Sequence, residues 1–289
     1  MPIIINKYGR DAQAINNRLT KQASHQRVLI PHRTPRAGCR HFCLPRGVAI
    51  CYTLQSQREF IKFPQQNKTR NMLKAVIFDM DGTLGDTVAL CVEAYRQTTR
   101  EVSGRLPSAE EVMSYFGISD RGVLGGLVGM AYDDPVLPIE HFVRVYESLH
   151  DALAPVPYEG AVETLRALRA KGLKVGLLTG KEHYTADPTV KRYGMEGLFD
   201  LVLTGQPTHN CKDECLQEAM RVWQLRPEEM IYVGDAPTDI EHCHRVGVRI
   251  INAAWGSHAA AEEAACLARN PDYRLTDFSQ IEPLINQLI

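Results

Sequence analysis

The chain has no apolar run approaching the roughly eighteen residues that a membrane-crossing helix requires, so no part of it is expected to span a bilayer. It also lacks any C-x-x-C pair. Its eight cysteines are irregularly spaced, which argues against a disulfide framework and a zinc ribbon and suits a reducing compartment, taken here as the cytoplasm. Cys211 and Cys215 with His209, and the later His242-Cys243-His244, could be drawn as a soft-metal site. Cysteines four apart on a helix more often pack as small hydrophobes, and that reading is preferred. The third absence is local. Residues 1–71 hold 13 Lys and Arg against 2 Asp and Glu, whereas residues 72–289 hold 20 against 32, so the net charge of -1 joins two segments of opposite character. The acidic balance of the larger segment gives no reason to expect a nucleic-acid partner.

Against these absences stands Ala75-Val76-Ile77-Phe78-Asp79-Met80-Asp81-Gly82-Thr83, an apolar run ending in two carboxylates, a turn glycine and a hydroxyl. β-Branched and aromatic residues stopped by Asp and Gly read as a strand covered on both faces. Such strands build parallel sheets, whose functional groups gather at the carboxyl ends. Alternation would aim Asp79 and Asp81 alike in a continuing strand, but Gly82 indicates that the chain is already turning. Two acids at the mouth of a crevice suit a divalent cation, or a nucleophile beside a general acid. Asp-Gly is also ordinary turn chemistry, so this segment alone does not separate a site from a solvated strand end.

A second acid pair breaks the tie. Met230-Ile231-Tyr232-Val233-Gly234-Asp235-Ala236-Pro237-Thr238-Asp239 is again an apolar strand ending in Asp. Pro237 fits the first turn of a helix, with Asp235 before that turn and Asp239 within it. Between the pairs, Val175-Gly176-Leu177-Leu178-Thr179-Gly180 is a strand closing on a hydroxyl and a glycine, and Lys212 opens a helix. Together these supply phosphate-binding groups beside a cation site.

The four segments, in this order, resemble the haloacid dehalogenase superfamily in its phosphatase branch, and within it the phosphoglycolate phosphatase-like enzymes with a helical cap. Asp79-x-Asp81-Gly82-Thr83 is similar to the first family motif, Thr179 to the second, Lys212 to the third and Gly234-Asp235-x-x-x-Asp239 to the fourth, over roughly residues 73–289. The third motif departs from the pattern: prolines usually follow the lysine, whereas here it reads Cys211-Lys212-Asp213-Glu214-Cys215. The resemblance implies that Asp79 attacks a phosphomonoester to form an aspartyl-phosphate. Asp81 then serves as general acid and afterwards as general base. It implies a Mg2+ ion held by Asp79, the Asp81 backbone carbonyl and Asp235, with Asp239 orienting from just outside. Lys212 would place a fixed positive charge against the phosphate, and Thr179 and the backbone near Gly180 would hold its oxygens. Relatives that dehalogenate lack an acid at the position of Asp81, because halide leaves without a proton.

The implied substrate is a small phosphorylated metabolite, with a phosphoglycolate-like acid leading. A phosphosugar mutase would share every core residue and is the enzymatic alternative. A binding or regulatory module is a second, weakened by the completeness of the motifs. A monomer or homodimer is expected.

Alternating strand and helix patterns predict an α/β fold, a doubly wound and mainly parallel Rossmann-like sheet formed by residues 72–86 and 156–289. Strands are expected at 174–179, 198–203, 230–234 and 248–252, and helices at 163–171, 212–224, 239–246 and 259–268. Far more chain separates Asp79 from Lys174 than one crossover needs, and residues 87–155 are read as an inserted α-helical cap. Arg121 is the cap's candidate for reading the substrate; Lys181 and His183 are further candidates, weighed as solvated surface charges.

The basic segment 1–71 has no helical or strand period and scatters Pro31, Pro35, Pro45 and Pro64. A targeting peptide would be richer in serine than Ser24 and Ser56 make it, and Cys39, His41, Cys43 and Cys51 complete no zinc spacing. The expectation is a segment that is disordered or not native, from an overextended translation start. Met72 stands immediately before the first strand, where members of the resembled family commonly begin.

Overall fold

In the computed structural model the described residues are the short strand Ile3–Ile4 and residues 72–289; apart from that strand, the reading of residues 1–71 lies outside the described residues. Seven parallel strands form one sheet: β1 (Ile3–Ile4), β2 (Ala75–Phe78), β3 (Lys174–Thr179), β4 (Leu201–Thr204), β5 (Met230–Gly234), β6 (Arg249–Ala253) and β7 (Tyr273–Leu275). Their spatial order is β1-β4-β3-β2-β5-β6-β7. The chain therefore builds outward from β2 on one side, then returns to its other edge with β5. That reversal creates a crevice at the carboxyl ends of β2 and β5. Register aligns the two: Phe78 is opposite Val233, and the Asp79 N–H donates to the Val233 carbonyl at 2.9 Å.

Alternation along each strand sorts the core into two faces. Val76, Phe78, Leu177 and Val233 pack with Leu165 and Leu168 of α5 (Ala161–Ala170) and Ile281 and Ile285 of α10 (Ile281–Leu288). On the opposite face Ala75, Ile77, Leu178 and Tyr232 meet Leu216 of α7 (Lys212–Trp223) and Ile240 of α8 (Pro237–Val246), with Cys266 of α9 (Ala259–Ala268). Helices cover both faces, as a doubly wound sheet requires.

A separate apolar cluster is built by α1 (Val88–Ser103), α2 (Ala109–Met113), α3 (Asp120–Val128) and α4 (Ile139–Leu153). At its centre Tyr95 stacks on Phe142, ring centroids 4.4 Å apart, beside the fully buried Tyr146. This helical layer is joined to the sheet through Leu84, whose carbonyl accepts from the Tyr158 N–H at 3.0 Å. Among the described residues no helix is long and apolar enough to cross a membrane.

Expected boundaries shift in places. The strand expected over residues 198–203 begins only at Leu201, because Leu198 closes a turn on Met195 and the Asp200 side chain caps the Val175 N–H at 2.9 Å. Three helices were not anticipated: α10, α3, which carries Gly122, Gly125 and Gly126, and α6 (His183–Arg192), which contains Pro188. The α3 glycines answer to packing, since a Cβ on Gly122 would strike the Pro207 carbonyl and one on Gly126 the Tyr115 ring.

Phe142→Ala removes a buried aromatic ring and its stack on Tyr95, and is expected to cost about 3–5 kcal/mol, read from the urea unfolding midpoint. A loss below about 1 kcal/mol would mean that this cluster is not a packed core.

Candidate active site

Every acidic or basic group singled out at the strand ends converges on the crevice between β2 and β5. Asp79 directly follows β2 and is buried. Its Oδ1 accepts the Met80 N–H at 2.7 Å, and its Oδ2 lies 2.6 Å from Lys212 Nζ. Lys212 is the first residue of α7, and the same ammonium reaches Asp239 Oδ1 at 2.5 Å. Asp239 sits in the first turn of α8 and turns its Oδ2 back to the Ala236 N–H at 3.0 Å, fixing the helix start. Asp235 follows β5; its Oδ1 accepts from the Thr83 hydroxyl at 3.2 Å and its Oδ2 meets His258 Nε2 at 2.5 Å. Gly82, at φ +72°, makes this approach possible, because a side chain there would run into the Asp235 carboxylate and the His258 ring.

Ligand oxygens of Asp79, Asp235 and Asp239 all lie within 4.8 Å of one another, the one such cluster of potential metal ligands among the described residues. One ammonium serves two of these three buried carboxylates. Burial pushes the Asp79 carboxyl from its ordinary 3.8 up to about 8, with Lys212 pulling the other way and Asp239 and Asp235 adding to the rise. Burial likewise raises Asp235, opposed by the hydrogen bond from His258. The excess of buried negative charge fits a hard divalent cation bound through oxygen. Asp239 was expected just outside such an ion; its carboxylate belongs to the same close group, though both its oxygens already have partners.

Asp81 stands apart from that cluster. Its Oδ1 accepts from the Thr87 hydroxyl at 2.5 Å and from Cys91 Sγ at 3.4 Å, and lies 3.1 Å from Lys181 Nζ. Burial works to raise the Asp81 carboxyl, yet the Lys181 ammonium and the Thr87 hydroxyl overcome it and hold it below its ordinary value. The weighing of Lys181 as a solvated surface charge is therefore corrected. The side chain is 4% exposed, and its ammonium lies 4.6 Å from the Tyr146 ring centroid. Its position two residues past the β3 terminus, turned inward where Thr179 Oγ1 accepts the Lys181 N–H at 3.2 Å, accounts for the difference.

A cavity of about 440 Å³ opens over these groups, with Asp79, Asp81, Gly180, Lys181, Lys212 and Asp235 on its sheet side. Thr179 is buried behind Gly180. Arg121 is not among the lining residues. It lies 3.7 Å from the Glu182 carboxylate and 5.8 Å from the Tyr184 ring centroid, so the role of substrate reader is not supported. Glu182 draws it there by holding the start of α3, accepting from the Ser119 hydroxyl at 2.5 Å and the Arg121 N–H at 3.1 Å. His183 pairs instead with Asp187 on its own helix, at 3.5 Å. His258 is the residue that sequence reasoning missed. It precedes α9 in a loop with no motif around it, and only the fold brings it to Asp235. The sulfurs of Cys211 and Cys215 lie 3.6 Å apart, outside the cluster of potential metal ligands found among the described residues.

With this geometry, the match to the family model of haloacid dehalogenase-like hydrolases over residues 76–253 is decisive: the chain belongs to that family. Among curated proteins it is 26% identical over 218 residues to the pyrophosphatase PpaX of Bacillus mycoides, covering 75% of this chain and 98% of that one. Among solved structures, a predicted phosphoglycolate phosphatase of Haemophilus somnus is matched at 21% identity and a TM-score of 0.56, covering 73% of this chain and 97% of the other. CbbY of Rhodobacter sphaeroides in complex with phosphate is matched at 17% identity and 0.59, covering 73% and 96%. At these identities the structural likenesses establish the fold.

Because Asp79 holds its proton more tightly in the native state than in the unfolded chain, its contribution to stability is full below its ordinary 3.8 and is lost as pH rises toward about 8. In the presence of a chelator the melting temperature is expected to carry a component that falls across this window, and Asp79→Asn to remove it. An Asp79→Asn protein with an unchanged pH dependence would place its origin elsewhere.

Proposed function

We propose that this protein is a magnesium-dependent phosphomonoester hydrolase acting on a small phosphorylated metabolite through an aspartyl-phosphate. The observation that carries the reading is the division of labour between two neighbouring carboxylates. Asp79 shares Lys212 with Asp239 beside Asp235, while Asp81, two residues on, has its own lysine. Two acids in different electrostatic settings suit one nucleophile and one proton carrier.

Asp79 attacks phosphorus with a carboxylate oxygen, and the bond to the leaving alkoxide breaks. Lys212 holds the attacking carboxylate in line and meets the charge of the phosphoryl oxygens. Asp81 supplies a proton to the departing alkoxide and then, as carboxylate, takes one from the water that hydrolyses the aspartyl-phosphate. Because Lys181 keeps Asp81 ionised before substrate arrives, an incoming phosphate dianion has to draw that ammonium toward itself, which frees Asp81 to take up a proton. Gly180 lines the cavity and offers its backbone to a phosphoryl oxygen. Asp79 and Asp235 would hold magnesium, which supplies charge neutralisation at the transferring phosphoryl group when bound. The fully buried Cys91, Cys243 and Cys266 are free thiols, which suits a cytoplasmic enzyme.

The test is phosphate release by the purified protein. Release that is abolished by chelator, restored by magnesium and reduced more than about a thousandfold by Asp79→Asn is the expected result. Release that survives Asp79→Asn would sink the covalent mechanism. Asp81→Asn is expected to slow alkyl phosphates far more than nitrophenyl phosphate, whose leaving group departs without a proton; equal losses on both would deny Asp81 the role of acid.

A further inference from the structure

On the reading that this site hydrolyses phosphomonoesters, we infer that its leaving group is an uncharged alcohol bearing an apolar ring. The sheet side of the cavity is spent on the phosphoryl group. A volume of about 440 Å³ leaves room well beyond that group, within the range of roughly 300–1,000 Å³ typical of pockets for whole small molecules.

The opposing wall comes from the helical layer, where Val88, Met113, Phe116, Ile118 and Val123 line the cavity. Phe116 is 37% exposed and Met113 39%, so both keep apolar surface uncovered by the protein. A ring seated against a phenyl group and a thioether removes that surface from water and gains edge contacts with the sulfur. Burial of a glycolate or a second phosphate beside the same groups gains neither.

Charge points the same way. The lysines and arginine lining the cavity are Lys181, Lys212 and Arg269, and a carboxylate already holds each: Asp81 at 3.1 Å, Asp79 and Asp239 at 2.6 and 2.5 Å, and Glu241. Arg269 is tied further by Nη1 to the Ala265 carbonyl at 2.9 Å. The one ionisable carboxyl group on the helical side is Asp120, whose oxygens accept from the Tyr95 hydroxyl, the Glu182 N–H and the Thr185 hydroxyl at 2.7, 2.9 and 2.7 Å. It offers an anionic leaving group repulsion. Of the neutral polar residues that line the cavity, Asn210 turns its amide nitrogen to Gly117 while its Oδ1 accepts the Lys212 N–H at 3.2 Å. His258 also lines the cavity and its Nδ1 has no hydrogen-bond partner; apart from that nitrogen, a substrate with a carboxylate or a second phosphate would have to take a cation from its present partner, whereas an uncharged ring needs no such exchange.

The deciding experiment compares kcat/KM of the full chain with magnesium on ethyl phosphate, phenethyl phosphate, phosphoglycolate and inorganic pyrophosphate. Phenethyl phosphate is expected to exceed ethyl phosphate by about tenfold or more, with phosphoglycolate and pyrophosphate below both. Phe116→Ala and Met113→Ala should each shrink the phenethyl-to-ethyl ratio toward unity, chiefly through KM. Equal rates on the two alkyl esters, or faster turnover of phosphoglycolate or pyrophosphate than of phenethyl phosphate, would overturn the inference and leave a phosphatase standing. No release from any of the four would remove the phosphatase reading and this inference with it.

Discussion

One ammonium group, that of Lys212, sits between the Asp79 and Asp239 carboxylates, and the architecture of the sheet is arranged around keeping it there. Taking such ions out of water costs several kcal/mol each, and attraction repays that cost only when the geometry is held tightly. The structure meets the condition with chain ends. β2 delivers Asp79, α7 begins at Lys212, and the first turn of α8 holds Asp239 through the Ala236 N–H. Each partner is therefore fixed by main chain within a residue or two of a regular element. Asp235 joins them from the adjacent strand through direct β2–β5 register.

The sheet's contribution to the site was legible because it is written in contiguous residues. An apolar run stopped by Asp, Gly or Thr reports a buried strand and what lies at its end, which picked out Asp79, Asp81, Thr179 and Asp235, while Lys212 and Asp239 were read at the starts of helices. The parallel order followed from the strand-helix alternation. Residues whose roles depend on what folds over them were not legible. Lys181 looks like any charge after a strand until α1 and α4 cover it with Cys91 and Tyr146. His258 has no local signal, since its partner Asp235 lies beyond α8 and β6 in the chain. The helices α3 and α6 fail on propensity, one through glycine and the other through an internal proline, and persist because tertiary packing outweighs a local preference of about 1 kcal/mol per glycine.

A second buried ion pair binds the two layers together. Lys181 belongs to the sheet, but its neighbours Cys91 and Tyr146 belong to α1 and α4, and Thr87, which donates to the same Asp81 oxygen, stands at the entry to α1. Asp81 is thus supported by both layers, while Asp79 is supported by the sheet and its helices alone. Substitutions in the helical layer can accordingly disturb the surroundings of Asp81 while leaving those of Asp79 intact.

The position of β2 has a consequence for synthesis. After the two-residue edge strand β1 it is the first strand of the sheet to be translated, yet its two neighbours begin at Lys174 and Met230, and the ammonium and the last carboxylate of the cluster arrive with Lys212 and Asp239. A nascent chain that has emerged only through the four helices therefore carries Asp79 on an unpaired strand edge with nothing to align it. Such long-range pairing slows folding and leaves that edge exposed to other chains meanwhile. The charged cluster is completed late, when Lys212 and Asp239 dock. A chain truncated before α8 would lack Asp239 and be prone to stick.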